Sequence, residues 1–336
     1  MNDTAAAQPG SALPVTAQDV HLAWNRIRAQ VSRTPLLYSR PLSQLTGGAV
    51  YLKCENLQHT GSFKFRGGSN AVLSLTDAQK AAGVLAYSSG NHAQGVACAA
   101  QLAGVEATIV MPLDAPRVKV ENTRRLGAKV VQYDRYTQSR EEIGTRLAAE
   151  SGAELIKPYD DTRVIAGQGT CGLEILDQCK QRGLTPDQIL VCCGGGGLTS
   201  GIALVVKEAL PQTQISPCEP WQFDDVIRSL HSGERQGNDP DARSICDAIV
   251  TPSPGELTFP ILSTHCSGGY AVTDEEAKRA VTYLFRQHRL VVEPGGAVTA
   301  AAVLANPMTF RDQTLVLTLS GGNIDEDQLS EYLAAS

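Results

Sequence analysis

Several things are missing from this chain of 336 residues, and each absence removes a class of function. No apolar run approaches the roughly 18 residues of a membrane span. No block of lysine and arginine interrupts a net charge of −6, so nothing marks the chain for nucleic acid or an anionic membrane surface. Met1 to Pro14 lack both a basic start and an apolar core. They read as a short disordered arm, with no secretory signal. The nine cysteines include no CxxC pair, and adjacent Cys192 and Cys193 lack zinc-ligand spacing. Most stand in apolar stretches such as Val96-Ala97-Cys98, so we read them as reduced core thiols of a cytoplasmic protein. Repeats and low-complexity segments are absent too.

What is present is ordinary for a globular protein, with 42% apolar and 19% charged residues. The length exceeds what one core comfortably holds, so two domains are expected. The first helix is expected to start at Thr16, with Asp19 closing a capping box and Val20, Trp24, Ile27 and Val31 on one face. Short apolar runs then alternate with helical stretches. Strands are expected at Tyr51–Cys54, Val84–Tyr87, Ala107–Met111, Lys129–Tyr133, Glu154–Ile156, Ile189–Cys193, Gln214–Cys218 and Thr314–Leu319. Helices are expected near Asn91–Ala103, Pro116–Leu126, Ser139–Ser151, Gly169–Cys179, Leu198–Ala209, Asp274–His288 and Ala297–Leu304. Such alternation predicts an α/β fold of parallel sheets covered on both faces, with ligands at the carboxyl ends of the strands.

One stretch stands out, Gly61-Ser62-Phe63-Lys64-Phe65-Arg66-Gly67-Gly68, read as a turn opening into a helix after an apolar strand. A lysine held beside Phe63 and Phe65 would be partly desolvated, its pKa would fall, and it would suit an amine that forms Schiff bases. Gly194-Gly195-Gly196-Gly197-Leu198, between an apolar strand and a helix, leaves backbone N–H groups uncovered where a phosphate could sit. It is no dinucleotide fingerprint, since the third glycine would fall at Thr199, and no Walker lysine follows. Ser88-Ser89-Gly90-Asn91-His92 is either a plain helix cap or a helix N-terminus that offers donors to a carboxylate.

The lysine segment resembles the S-F-K-x-R-G motif of fold-type II pyridoxal-phosphate enzymes, the serine/threonine dehydratase and serine racemase family. The likeness runs from Thr34-Pro35-Leu36 to Asn323. It implies two open α/β domains with the cofactor in the cleft, a small one of residues 83–162 inserted in a large one of 1–82 and 163–336. Lys64, beside Phe63, would carry pyridoxal phosphate and, once freed, take the substrate's α-proton. Gly194, Gly195, Gly196, Gly197 and Leu198 would hold the phosphate, Asn91 the ring hydroxyl, and Ser320 would face the ring nitrogen. A hydroxyl there does not keep that nitrogen protonated, which weakens the electron sink and favours prompt elimination over a long-lived carbanion. Ser88, Ser89, Asn91 and His92 would take the α-carboxylate, and Ser89 matches a second base on the opposite face.

Glu219, the carbonyl of Phe223 and Asp225 match the family's site for Mg²⁺ or Ca²⁺, although close carboxylates on a loop are often merely solvated. Arg140 reads as a helix-surface ion pair or, by resemblance, as a receptor for a second substrate carboxylate. Glu293-Pro294-Gly295-Gly296 matches a segment by the active site. Ala248 stands where racemases have glycine, and Pro254-Gly255-Glu256-Leu257-Thr258-Phe259 looks more like catabolic dehydratases. Only a short helix is expected after Asn323, without room for a regulatory domain. The resemblance thus implies an ammonia-lyase that converts a small β-hydroxy amino acid (threonine, serine, 3-hydroxyaspartate or 3-phenylserine) to a 2-oxo acid. A racemase is the alternative, then a β-replacement synthase, with a non-catalytic binder disfavoured by the intact Lys64, Ser89 and Ser320. A homodimer is the family habit.

Overall fold

The computed structural model describes residues 12–88, 90–115, 117–134 and 136–335. The strands are β1 (Leu36–Tyr38), β2 (Ala49–Cys54), β3 (Val84–Tyr87), β4 (Ala107–Pro112), β5 (Lys129–Tyr133), β6 (Glu154–Leu155), β7 (Gln188–Cys192), β8 (Gln214–Pro220), β9 (Tyr270–Val272) and β10 (Thr314–Leu319). The helices in the first half are α1 (Ala17–Ile27), α2 (Arg40–Thr46), α3 (Lys64–Leu73), α4 (Asp77–Ala82), α5 (Asn91–Ala103), α6 (Arg117–Arg125) and α7 (Arg140–Ser151). Those that follow are α8 (Thr162–Gln181), α9 (Gly197–Ala209), α10 (Asp225–Ser232), α11 (Thr258–His265), α12 (Asp274–His288), α13 (Pro294–Ala305) and α14 (Glu326–Ala334).

Six strands form one sheet in the order β1-β2-β10-β7-β8-β9, parallel except for β1 against β2. The other four form a parallel sheet, β5-β4-β3-β6. Side chains alternate across a strand, so a strand with helices on both faces must be apolar throughout. In the larger sheet Leu190, Leu315, Leu317 and Leu319 face one core, shared with Val281 of α12 and Val298 of α13. Their neighbours Ile189, Val191 and Val316 face a second core, with Ile175 of α8 and Ile202 of α9. The smaller sheet divides likewise. Val84, Ala86 and Ile109 pack on α3 and α5, while Leu85, Tyr87 and Val110 pack towards α7.

Thr16 and Asp19 close the expected capping box, but α1 ends at Ile27, so Val31 lies beyond the helix, still buried. Two helices begin earlier than the sequence suggests, and glycine is the reason both times. Gly67 and Gly68, expected in a turn, lie inside α3, and a Cβ on Gly68 would stand 2.9 Å from the backbone oxygen of Gly95 in α5. Helix α8 starts at Thr162, two turns before the expected Gly169. Its Gly167 and Gly169 weaken helix propensity, yet a Cβ on either would meet Arg66 O or Gly201 O at 2.7 Å. Close backbone crossing, invisible locally, outweighs propensity there. All nine cysteines are free, and eight are buried. Among the described residues no helix is long and apolar enough to cross a membrane.

Beneath α3 lies a fully buried quartet of charges. Arg66 donates to Glu55 through Nε (2.7 Å) and Nη2 (2.8 Å), and to Glu174 through Nη1 (2.8 Å). Lys53 donates to the other oxygen of Glu174 at 2.6 Å, to Thr34 O and to Gln178. The two cations and two anions tie β2, α3 and α8 together two residues beyond Lys64.

Candidate active site

The site forms where the ends of β7 and β10 meet the start of α3. A bridge from Ser62 to Gly321 and a hydrogen bond from Phe63 N–H to Ser320 O (3.1 Å) pin the turn before α3 to the end of β10. Lys64 is the first residue of α3. Its Nζ lies 5.1 Å from the centroid of the Phe63 ring and donates to Pro158 O at 2.8 Å. Burial lowers its pKa to about 8, against the opposing pull of the Glu293 carboxylate. Phe65 does not flank the amine, contrary to expectation. One residue further round the helix, it sits in the core with its ring edge against His59.

Opposite stands the glycine loop, lining one cavity with Phe63, Lys64 and Tyr159. Gly196 has φ +93°, a left-handed conformation that suits glycine, and begins α9 without any side-chain cap. The carbonyl of Gly195 is engaged by Thr258 Oγ1 (2.6 Å) and Gly255 N–H. A Cβ on Gly195 would stand 2.3 Å from the Tyr159 ring. Leu198 is buried in the core behind the loop, so it can offer only backbone. Uncapped N–H groups in a cradle that side chains would fill fit a phosphate.

A second cavity joins Lys64, Ser88, Asn91, His92, Arg140 and Glu293. Asn91 Nδ2 donates to Glu293 Oε1 at 2.6 Å. Burial raises the Glu293 pKa to about 7, helped by Asp247 and opposed by the bond from Asn91. Ser88 Oγ accepts from Gly90 N–H, and Ser89 lies outside the described residues. His92 is buried and its Nε2 lies 2.9 Å from Ile156 O. A carbonyl only accepts, so Nε2 carries the hydrogen and buried Nδ1, which has no partner, is an acceptor. Burial and the nearby Lys64 depress its pKa to about 3, and the ring is neutral. An acceptor does not suit a carboxylate, which leaves His92 its backbone N–H for that purpose.

Arg140 makes the surface ion pair and also borders the cavity. Its Nε donates to Glu141 at 2.7 Å, while its guanidinium lies 5.6 Å from the Tyr87 ring centroid and lines the cavity. Lys119 of α6 reaches Asp247 across the cleft at 2.9 Å. Ser320 is buried at the end of β10, and the Cys192 thiol beside it donates to Gly296 O and Thr318 O.

The three candidate cation ligands lie at the end of β8. Glu219 accepts from Val226 N–H (3.2 Å) and Ile227 N–H (2.9 Å), and Asp225 Oδ1 accepts from Asn238 (2.5 Å). Asp225 Oδ2 is buried without a partner. Burial and mutual repulsion push Glu219 well above its ordinary pKa, and burial brings Asp225 to about 7. Phe223 is buried beside them. Among the described residues no group of three His, Cys, Asp or Glu side chains is placed to hold a metal ion. A site here would need the Phe223 carbonyl or water.

Sequence reasoning passed over Tyr159, Lys119, Asp247 and Asn323. Their surroundings are polar loop or exposed helix, and no local pattern marks them. Together the two-sheet α/β architecture, a half-buried low-pKa lysine and a glycine cradle define an enzyme built around a phosphorylated carbonyl cofactor. Residues 27–321 match the family described as pyridoxal-phosphate dependent enzyme, and the chain belongs to that family. It is 42% identical to an L-threo-3-hydroxyaspartate ammonia-lyase of Pseudomonas sp, covering 94% of this chain and 97% of that protein. Among solved structures, a threonine deaminase of T.th. matches at 46% identity with a TM-score of 0.87, covering 92% of this chain and 99% of that one. The serine racemase from Dictyostelium discoideum matches at 37% identity with a TM-score of 0.86, covering 93% and 99%.

Proposed function

We propose that this protein is an ammonia-lyase that eliminates the β-hydroxyl of a β-hydroxy-L-amino acid as water, the released enamine then being hydrolysed by water to a 2-oxo acid and ammonia, with 3-hydroxyaspartate as its preferred substrate. The observation that carries the reaction is Lys64, whose amine is desolvated to a pKa of about 8 within the cavity that Arg140 also lines. Residues Gly194 to Gly197 would hold the phosphate of pyridoxal phosphate through backbone N–H groups, Lys64 its carbonyl carbon, Asn91 its ring oxygen and Ser320 its ring nitrogen. Bound there, the cofactor supplies an electron sink for the pair left at Cα when the α-proton departs. Lys64 Nζ takes that proton, and a lowered pKa makes an amine a competent base near neutrality. The first N–H groups of α5, uncapped by any side chain, orient the α-carboxylate. Tyr159 and Phe63 keep water from the amine. Arg140 faces the β-substituent, and a guanidinium matches a carboxylate there in charge and shape. The relatives named for 3-hydroxyaspartate favour the same side chain. Racemisation through Ser89 is a side activity of this reading.

The same reading takes residues 83–162 as a small domain inserted in a large one, supported by the separation of the strands into two sheets. It also takes Glu219, Asp225 and the Phe223 carbonyl as a Mg²⁺ or Ca²⁺ site, supported by the unpaired Asp225 Oδ2. A cytoplasmic homodimer completes it. The test is keto-acid and ammonia release from 3-hydroxyaspartate, threonine, serine and 3-phenylserine. Lys64→Ala removes both the absorption band of bound cofactor and all turnover. Arg140→Leu raises KM for 3-hydroxyaspartate about 10- to 100-fold, the worth of a charge-assisted hydrogen bond, while changing threonine kinetics less than about threefold. Equal effects on both substrates would refute the role of Arg140, and turnover by Lys64→Ala would refute the whole assignment.

A further inference from the structure

Two amides and a carboxylate form a chain along the inner wall of the cleft. Asn323 Nδ2 donates to Thr60 O at 2.8 Å and to Asn91 Oδ1 at 2.6 Å, and Asn91 Nδ2 donates to Glu293 Oε1 at 2.6 Å. The direction of this chain follows from its anchor. A backbone carbonyl only accepts, so Asn323 must turn its nitrogen to Thr60, and the second hydrogen of that nitrogen meets the oxygen of Asn91. Asn91 therefore presents nitrogen, not oxygen, on its other edge. Packing fits the chain closely. A Cβ on Gly61 would stand 2.6 Å from Asn323 Oδ1, and one on Gly321 would stand 2.0 Å from Glu293 Oε1.

We propose that Asn323 is a positioning residue: anchored on Thr60, it orients the Asn91 amide so that Nδ2, with one N–H on Glu293, keeps the other for the cofactor. This rests on the reading of Asn91 as a cofactor contact. Glu293 alone would orient Asn91 only when ionised, because a protonated carboxyl can donate as well as accept. It faces Lys64, Lys119 and Asp247, and its pKa stands at about 7. Below that pH the orientation of Asn91 depends on Asn323, and above it Glu293 shares the task.

The experiment measures the affinity of cofactor-free protein for pyridoxal phosphate, by titration of the bound absorption band, at pH 6 and pH 8.5. Comparing each variant with wild type at the same pH cancels the titration of Lys64. Asn323→Asp sets an acceptor against Asn91 Oδ1 and weakens binding about 10- to 100-fold, the cost of leaving a buried polar group without its partner. Asn323→Ala serves as a second variant should the first not fold, and its loss is at least threefold larger at pH 6 than at pH 8.5. In an Asn91→Ala background, the same change at Asn323 moves affinity less than twofold. An equal loss at both pH values, or additive losses in the double variant, would overturn the positioning role. Unchanged affinity in Asn91→Ala alone would instead overturn the assignment of Asn91, and with it this inference.

Discussion

Replacing Glu174 by glutamine is the sharpest probe of what holds the start of α3, and Lys64 with it, in place. Glu174 is about 1% exposed in its side chain and receives Lys53 on Oε2 at 2.6 Å and Arg66 on Oε1 at 2.8 Å. Thr34 N–H also reaches Oε2, at 3.2 Å. With one lysine, one arginine and two glutamates, the quartet is neutral. Glutamine keeps the shape but leaves the quartet at +1, and turns an NH₂ group towards one of the two cations. Each lost contact at about 2.7 Å is worth roughly 6 kcal/mol at an effective dielectric of about 20, much of it offset by desolvation. Breaking one side of a buried pair has a net cost of about 3–5 kcal/mol, a large part of a total stability of about 5–15 kcal/mol. Urea unfolding of the protein saturated with pyridoxal phosphate measures it. Glu150→Gln, in an exposed pair with Arg146 at 61% and 58% exposure, is the control and costs about 0.3–0.5 kcal/mol. Adding Lys53→Met to Glu174→Gln restores neutrality and recovers more than half of the loss. A Glu174→Gln protein within about 1 kcal/mol of wild type would mean that the buried quartet does not hold β2, α3 and α8 together.

Two further outcomes follow from the titrating groups. The Lys64 amine, lowered to about 8 in the folded chain, is neutral in about a tenth of molecules at pH 7. The rate at which cofactor-free protein captures pyridoxal phosphate should rise with a midpoint near pH 8, and a midpoint near 10.5 would contradict the desolvation. Because the folded state binds this proton more weakly than the unfolded chain, stability rises with pH between about 8 and 10.5. Glu219 and Asp225 are shifted the other way, with Asp225 at about 7, so their contribution to stability falls as pH rises from ordinary carboxylate values towards 7. A divalent cation needs them ionised. Millimolar Ca²⁺ or Mg²⁺ should therefore raise Tm over EDTA by more at pH 8 than at pH 6, and Asp225→Asn should remove the gain; equal Tm values at pH 8 with cation and with EDTA would sink the site.

The alternation of apolar strands with helices was legible in the sequence because a buried parallel strand has no polar face to show. The strand Thr314–Leu319 and the helices Asn91–Ala103 and Asp274–His288 are bounded where the residues place them. Lys64 and the glycine run were legible as well, since an amine flanked by an aromatic and four successive glycines are local patterns with chemical meaning. The early start of α8 was not, because glycines that weaken a helix locally are required by a neighbour's backbone. Nor was the hold on Asn91, whose partners Glu293 and Asn323 lie 202 and 232 residues away. The side chain of Tyr159 over Gly195, the neutral ring of His92 and the quartet beneath α3 are of the same kind. Local residues determine which backbone conformation is cheap and which faces must be buried. Desolvation, pairing and amide orientation depend on what the fold brings within about 3 Å, and only the tertiary structure decides that.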